Sequence, residues 1–177
     1  MQHKTYSEAT IRGILTSVRS FAIVGASQNP VRPSFFVLKY LLQKGYRVHP
    51  INPGQAGGEI LGQRVYANLS QLDAPVDVVD IFRNSAAALD ITKEAIALKD
   101  RLDLKVLWMQ LGVRNDEAAR LAEEAGLTVV MNRCPKIEYG RLSGEIGWSG
   151  VNARVLSAKK PLMQGGGVQQ FTLRRKS

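Results

Sequence analysis

The residues between Gly25 and Ser34 have the types and order of a phosphate-binding turn. An apolar run over residues 21–24 ends at Gly25, and Pro33 and Ser34 follow where a helix would begin. Glycine permits a tight turn after a strand, and proline suits the first helical turn because an N–H there has no intrahelical acceptor. The free N–H groups and positive dipole of such a helix attract an anion. We therefore expect an anion-binding strand-turn-helix capped in part by Ser34, although an ordinary turn of an α/β protein has the same pattern.

Five short apolar segments alternate with helical patterns along the chain. The segments cover residues 21–24, 46–50, 76–82, 105–109 and 127–131. Helices are predicted near residues 34–44, 84–98 and 115–126, with Gly45 as a left-handed C-cap. An earlier helix has capping-box spacing at Thr5 and Glu8, and residues 54–62 contain too much glycine for regular structure. The alternation predicts an α/β protein in which a single domain holds a Rossmann-like, doubly wound parallel sheet of five strands.

The dinucleotide pattern of such sheets is incomplete here. Only the first glycine of G-x-G-x-x-G is present, because Ser27 and Pro30 occupy the other two positions. Asn52 stands after the second strand, where a carboxylate would hold the ribose of NAD. A ligand with extra phosphate, such as NADP or coenzyme A, tolerates the missing acid better, and Arg32 and Arg83 could bind its phosphates.

Five segments resemble the small stand-alone coenzyme A-binding proteins of the YccU-like family. This family is related to the CoA-binding domain of the succinyl-CoA synthetase alpha subunit. The segments are residues 24–34, 49–53, 79–84, 107–112 and 130–135, and the resemblance extends over about residues 11–142. It implies a Rossmann-like fold and non-catalytic binding of coenzyme A or an acyl-CoA.

The resemblance also implies which residues bind the cofactor, all of them near the carboxyl ends of strands. They are Gly25, Ala26, Ser27, Arg32, Pro33, Ser34, Asn52, Pro53, Phe82, Arg83, Asn84, Gln110 and Cys134. The turn after the first strand is expected near the diphosphate or pantetheine, with Arg32 as the charged phosphate contact. Asn52 and Pro53 are expected near the ribose or adenine. Hydrogen bonds from Asn84 or Gln110 to pantetheine amides are expected.

Four of the singled-out residues have simpler alternatives. Phe82 could be a core residue, and Asn84 could be a plain helix cap. The Cys134 thiol could form a mixed disulfide with coenzyme A, with Arg133 favouring the thiolate, or it could be a small buried apolar residue. We expect His49 to be a structural histidine with its hydrogen bonds satisfied.

Charge and composition limit the remaining function classes. The 177-residue chain carries a formal charge of +9, of which six positive charges follow Glu145 without any acid. We predict a CoA-binding domain over residues 1–145 and a basic, flexible C-terminal extension over residues 146–177. The extension lacks interleaved aromatic residues, so nucleic acid is an unlikely partner. Because no signal sequence or membrane span is evident, a cytoplasmic protein without membrane contact is expected, and an oligomer is possible.

The sequence contains no pattern of a catalytic site. No metal-ligand cluster, nucleophile elbow or complete triad is visible. The leading hypothesis is a non-catalytic module that binds coenzyme A or an acyl-CoA as its small-molecule ligand. Two alternatives stay open: an NADP-binding oxidoreductase, and a regulatory subunit that binds a protein partner.

Overall fold

Five parallel strands and their connecting helices form most of the structure, a computed structural model that describes residues 3–145 and 172–173. The helices are α1 (Glu8–Ser17), α2 (Pro33–Gln43), α3 (Ser85–Ala97), α4 (Lys99–Leu102), α5 (Asp116–Glu124) and α6 (Pro135–Ser143). The strands are β1 (Ser20–Val24), β2 (Arg47–Ile51), β3 (Glu59–Ile60), β4 (Gln63–Arg64), β5 (Val78–Ile81), β6 (Val106–Met109) and β7 (Thr128–Val130). The predicted α/β class and five-stranded parallel sheet are confirmed.

The central sheet has the strand order β2-β1-β5-β6-β7, with every neighbouring pair parallel. Both faces are covered, so most residues of the central strands are apolar and buried. Phe21 and Trp108 lie in a core cluster with residues of α1, α2 and α6, whereas Val79 and Met109 lie in a second cluster with residues of α3 and α5. The chain runs from β1 to one edge of the sheet and from β5 to the other. The carboxyl ends of β1 and β5 therefore flank the point where strand order reverses, which is where ligands of such sheets bind.

The helix ends are set by local side chains, with one difference from expectation. The hydroxyl of Ser7 accepts a hydrogen bond from the backbone N–H of Thr10 at 3.0 Å and caps α1. The predicted capping box of Thr5 and Glu8 is therefore wrong, because the helix begins at Glu8 itself. At the end of α2, Gly45 has the expected left-handed conformation, with φ of +79°.

The glycine-rich segment after β2 contains regular structure, which corrects the prediction of a plain loop. Residues Pro53–Gln55 form a 3-10 turn, and β3 pairs with β4 in an antiparallel hairpin. Leu61 and Gly62 join these strands with φ values of 51° and 74°, as a two-residue hairpin turn requires. Ile60 is buried at 2% exposure. Burial of one apolar side chain and a compatible turn are what stabilise this short hairpin.

The end of the chain contacts the core at Leu173. This side chain is buried at 4% exposure, and its N–H donates to the hydroxyl of Tyr139 at 2.9 Å. The rest of the predicted C-terminal extension lies outside the described residues.

Candidate functional site

Gly25 lies at the sheet's reversal point, where β1 and β5 end side by side. Its φ is +92°, and a Cβ on this residue would lie 2.8 Å from the carbonyl oxygen of Phe82 and 3.0 Å from Cδ of Arg83. Glycine is therefore required here for two reasons, the backbone conformation and the close approach of the neighbouring strand. The contact brings the side chain of Arg83 against the turn that follows β1.

The turn after β1 is bound to the end of β2. The backbone N–H groups of Gly25 and Ala26 both donate to the carbonyl of Ile51, at 2.9 and 3.2 Å. The hydroxyl of Ser27 accepts from the N–H of Asn29 at 3.2 Å. Since the N–H groups of Gly25 and Ala26 are already engaged, the N–H groups left to donate to a phosphate include that of Ser27 and, at the start of α2, that of Ser34, neither of which has an acceptor among the described residues.

The N-terminus of α2 is open. Arg32 is the N-cap residue and makes no side-chain capping bond, and Pro33 occupies the first turn as expected. Ser34 is only 4% exposed, and neither its hydroxyl nor its N–H has a partner among the described residues. The expected cap by Ser34 is absent. Ser34 holds the one N–H of this helix end that lacks an acceptor among the described residues, because Phe35 and Phe36 both donate to the carbonyl of Arg32, at 3.0 and 3.4 Å. A free N–H beside an unpartnered hydroxyl at a helix N-terminus is a suitable anion site.

Two cations flank this helix end. Arg32 and Arg83 are both exposed, and neither forms an ion pair with any residue that the structure describes. Elsewhere, cations such as Lys105 and Arg141 have carboxylate partners, at 2.7 Å in both cases. The two free guanidinium groups can therefore bind phosphate without first breaking an internal ion pair.

Asn52, at the end of β2, connects the turn after β1 to the hairpin region. Its Nδ2 donates to the carbonyl of Ala26 at 2.7 Å, and its Oδ1 accepts from the N–H of Gly54 at 2.9 Å. Pro53 is exposed and begins the 3-10 turn. The Asn52 side chain is thus occupied by protein partners.

Comparison with known proteins identifies the family of this chain. Residues 19–140 match the family described as "CoA binding domain". The chain belongs to this CoA-binding domain family.

Individual relatives agree with this assignment. The chain is 35% identical over 133 residues to the uncharacterized protein YneT of Bacillus subtilis, which covers 75% of this chain and 94% of YneT. The structure of cell-free ID.343 from Thermus thermophilus has 36% identity and a TM-score of 0.72, covering 77% of this chain and 99% of that one. The apo dinucleotide-forming acetyl-coenzyme A synthetase 1 of Ca. Korarchaeum cryptofilum has 25% identity and a TM-score of 0.55, over 67% of this chain and 27% of the synthetase. The Rossmann-like fold and the resemblance to CoA-binding proteins are confirmed.

The other predicted residues of the CoA-binding domain have their own contacts within the fold. Phe82 is half-buried and packs against the cluster that includes residues of α1, α2 and α6. The Oδ1 of Asn84 accepts from the N–H of Ala87 at 2.9 Å and caps α3, so the helix-cap alternative is confirmed. The amide of Gln110 is buried and donates to both carboxyl oxygens of Asp80, at 3.0 and 3.1 Å.

Asp80 is a residue of the CoA-binding domain that sequence reasoning missed. It lies on the central strand β5 and is completely buried. Burial raises the pKa of its carboxyl group well above the usual range, and the hydrogen bond from Gln110 opposes this only in part. The signal was present in the sequence, since an acid within an otherwise apolar parallel strand is rarely accidental.

Cys134, the N-cap residue of α6, has a buried thiol. It is 7% exposed, and burial raises the pKa of its thiol, with a smaller contribution in the same direction from Asp80. The expectation of a thiolate favoured by Arg133 is wrong. The guanidinium of Arg133 contacts Glu138 at 3.6 Å and the carbonyls of Asn132 and Lys4 instead.

His49 is not the satisfied structural histidine that the sequence suggests. Its Nε2 is buried and has no hydrogen-bond partner within the described part of the chain. Burial lowers the pKa of the imidazole, and the nearby charge of Arg47 lowers it further. The neutral ring packs beside Tyr66, with 6.2 Å between the ring centroids.

Two other features, a metal site and a membrane-spanning helix, are absent from the described residues. Among residues 3–145 and 172–173, no group of three or more potential ligands could hold a metal ion. No helix of this region is both long and apolar enough to cross a bilayer.

Proposed function

We propose that this protein binds coenzyme A or an acyl-CoA at the edge of the sheet where β1 and β5 end. The observation that carries the proposal is the N-terminus of α2. The N–H and the hydroxyl of Ser34 are both unpartnered, and Arg32 is free of ion pairs, within the described structure. Membership of the CoA-binding domain family supports the choice of ligand.

The charges at this edge match the phosphates of coenzyme A. The ligand carries a diphosphate and a separate 3′-phosphate; Arg32 supplies one guanidinium at the N-cap of α2, and Arg83, whose side chain lies against the Gly25 turn, supplies a second. Each charge-assisted hydrogen bond between a guanidinium and a phosphate contributes roughly 1.5–3 kcal/mol, less where the group is exposed to water. We expect the diphosphate at the start of α2, where the helix dipole adds to the attraction.

The end of β2 disfavours NAD. A carboxylate at that position would accept hydrogen bonds from the ribose hydroxyls of NAD, but Asn52 stands there. Its amide is already bonded to Ala26 and Gly54. These bonds use one of the two Nδ2 hydrogens and one of the two Oδ1 lone pairs, so the amide offers the two ribose hydroxyls less accepting capacity than a free carboxylate would.

We favour a site that binds its ligand without catalysing a reaction. Gln110 and Cys134, which follow neighbouring strands, are engaged or buried, since Gln110 bonds to Asp80 and the Cys134 thiol is kept protonated by burial. Neither arrangement offers a base or nucleophile to a bound thioester.

Calorimetric titration with coenzyme A, acetyl-CoA, NADP and NAD tests the proposal. Coenzyme A or its thioester should bind at least tenfold more tightly than either dinucleotide. Arg32→Ala should weaken binding by roughly tenfold, which corresponds to about 1.4 kcal/mol. Arg47→Ala is the matched control, because Arg47 is an exposed cation at the opposite end of β2.

Two outcomes would contradict the proposal. Tighter binding of NADP than of coenzyme A would favour the oxidoreductase alternative. Absence of binding to all four compounds, in protein with a cooperative unfolding transition, would favour a regulatory subunit that acts through a protein partner.

A further inference from the structure

The side chain of Asn52 joins the turn after β1 to the segment after β2. Its Nδ2 donates to the carbonyl of Ala26 at 2.7 Å, and its Oδ1 accepts from Gly54 N–H at 2.9 Å. The backbone N–H of Asn52 also donates to the carbonyl of Tyr66 at 2.8 Å. The orientation of the amide is unambiguous, because exchanging its oxygen and nitrogen would place two acceptors together at Ala26 and two donors together at Gly54.

The bond to Ala26 matters because this residue lies between β1 and α2. Ala26 is fully buried, and its N–H is bonded to Ile51. With Asn52 on its carbonyl, both polar groups of the Ala26 backbone are bound to the end of β2. The turn therefore cannot rotate without breaking bonds to a neighbouring strand.

A second contact, nearer the protein surface, joins the same two segments. The side-chain oxygen of Gln55 accepts from the backbone N–H of Gln28 at 3.1 Å. Gln28 is exposed, so this contact is weaker than that of the half-buried Asn52. Together, the contacts of Asn52 and Gln55 set the path of the chain from β1 to Arg32.

We propose that Asn52 is a positioning residue of the anion site, which fixes the turn that presents Arg32 and Ser34 to the phosphates. The inference rests on the proposed binding of coenzyme A. In the family resemblance, Asn52 was expected beside the ribose or adenine as a direct contact, and the geometry assigns it a different role. Asn52 acts through Ala26. Without the Asn52 side chain, the groups that contact the phosphates are still there, but the turn no longer holds them in position.

Asn52→Ser isolates this role. A serine oxygen can still accept from the N–H of Gly54, as serine does at many caps, but it is too short to reach the carbonyl of Ala26. Asn52→Ala removes both bonds and serves as the second variant. Asn68→Ala is the matched control, because Asn68 is also the N-cap of a 3-10 turn, Leu69–Gln71, and its side chain contacts only Ser70.

The decisive measurement is a double-mutant cycle between Asn52 and Arg32, with coenzyme A affinity determined by calorimetry well below the unfolding midpoint of each variant. We expect Asn52→Ser to weaken coenzyme A binding by roughly tenfold and Asn68→Ala to change it by less than about twofold. In the Asn52→Ser background, Arg32→Ala should weaken binding by less than about threefold. A purely structural role would lower the unfolding midpoint without reducing the effect of Arg32→Ala.

The outcomes separate the inference from the function on which it rests. If the unmodified protein fails to bind coenzyme A, both are wrong. Suppose that it binds. The positioning role alone is then overturned if Asn52→Ser binds coenzyme A as tightly as the wild type, or if Arg32→Ala still weakens binding tenfold in the Asn52→Ser background. If Asn52→Ser does not fold, the same cycle with Asn52→Ala decides the matter by the same criterion.

Discussion

Replacement of Gly25 by alanine tests whether the reversal point of the sheet is as closely packed as the structure indicates. Two costs are expected. A non-glycine residue with φ near +92° is strained by about 1–2 kcal/mol. The new methyl group would also lie 2.8 Å from the carbonyl oxygen of Phe82, a backbone atom that cannot rotate away. Overpacking of this kind costs about 1–3 kcal/mol, so we expect Gly25→Ala to destabilise the protein by about 2–5 kcal/mol in total.

Gly126→Ala is the control that separates the two costs. Gly126 has a φ of +86°, and a Cβ there would meet nothing within 4 Å. It therefore reports backbone strain alone, about 1–2 kcal/mol. The gain from restricting the unfolded chain is the same for both variants and cancels in the comparison. The difference between the two variants measures the contact between the turn and the end of β5.

Urea unfolding followed by circular dichroism gives both free energies, provided that the m-values of the variants agree. Coenzyme A affinity is measured in parallel. Gly25→Ala should weaken binding because the methyl group displaces the side chain of Arg83, whose Cδ would lie 3.0 Å away. Gly126→Ala should not affect affinity. Equal destabilisation by the two substitutions would refute the close approach of β1 and β5, and with it the description of the site.

Two further substitutions probe the buried interior. Asp80→Asn should stabilise the protein at neutral pH. The pKa of Asp80 is raised in the folded protein, so the free energy of unfolding of the wild type falls as pH rises from the ordinary aspartate pKa towards the raised one. The slope is at most about 1.4 kcal/mol per pH unit, and the asparagine variant lacks this loss. Unfolding of both proteins between pH 4 and 8 checks this, and parallel pH profiles would contradict it. Leu173→Ala should cost about 2–3 kcal/mol because the side chain is buried in the core beside Tyr139; a change below about 0.5 kcal/mol in thermal unfolding would show that the end of the chain does not pack there.

Much of the fold was accessible from local sequence patterns. The strand beginning near Phe21 and the start of α2 at Pro33 follow from residue types that favour one local conformation over others. The β3–β4 hairpin was not predicted, because its stability depends on the burial of Ile60 beneath distant residues and not on the propensity of its glycine-rich sequence. Local preference is informative where tertiary contacts agree with it, and it fails where they override it.

The features of the candidate site can also be separated into those that local sequence predicted and those that depend on tertiary contacts. The sequence alone predicted the glycine turn at Gly25 and the helix start at Pro33, and it singled out Arg32 and Arg83 as candidate phosphate contacts, because each depends on the residue type and its neighbours along the chain. Only the tertiary structure decided the roles of other polar residues.

Gln110 turns inward to Asp80, and Asn52 bonds to Ala26, 26 residues earlier in the chain. Burial keeps the Cys134 thiol protonated. A polar side chain bonds to whichever partner the folded chain brings within about 3 Å, and desolvation depends on everything packed around a group. These are properties of the fold as a whole, which no local pattern of residues encodes.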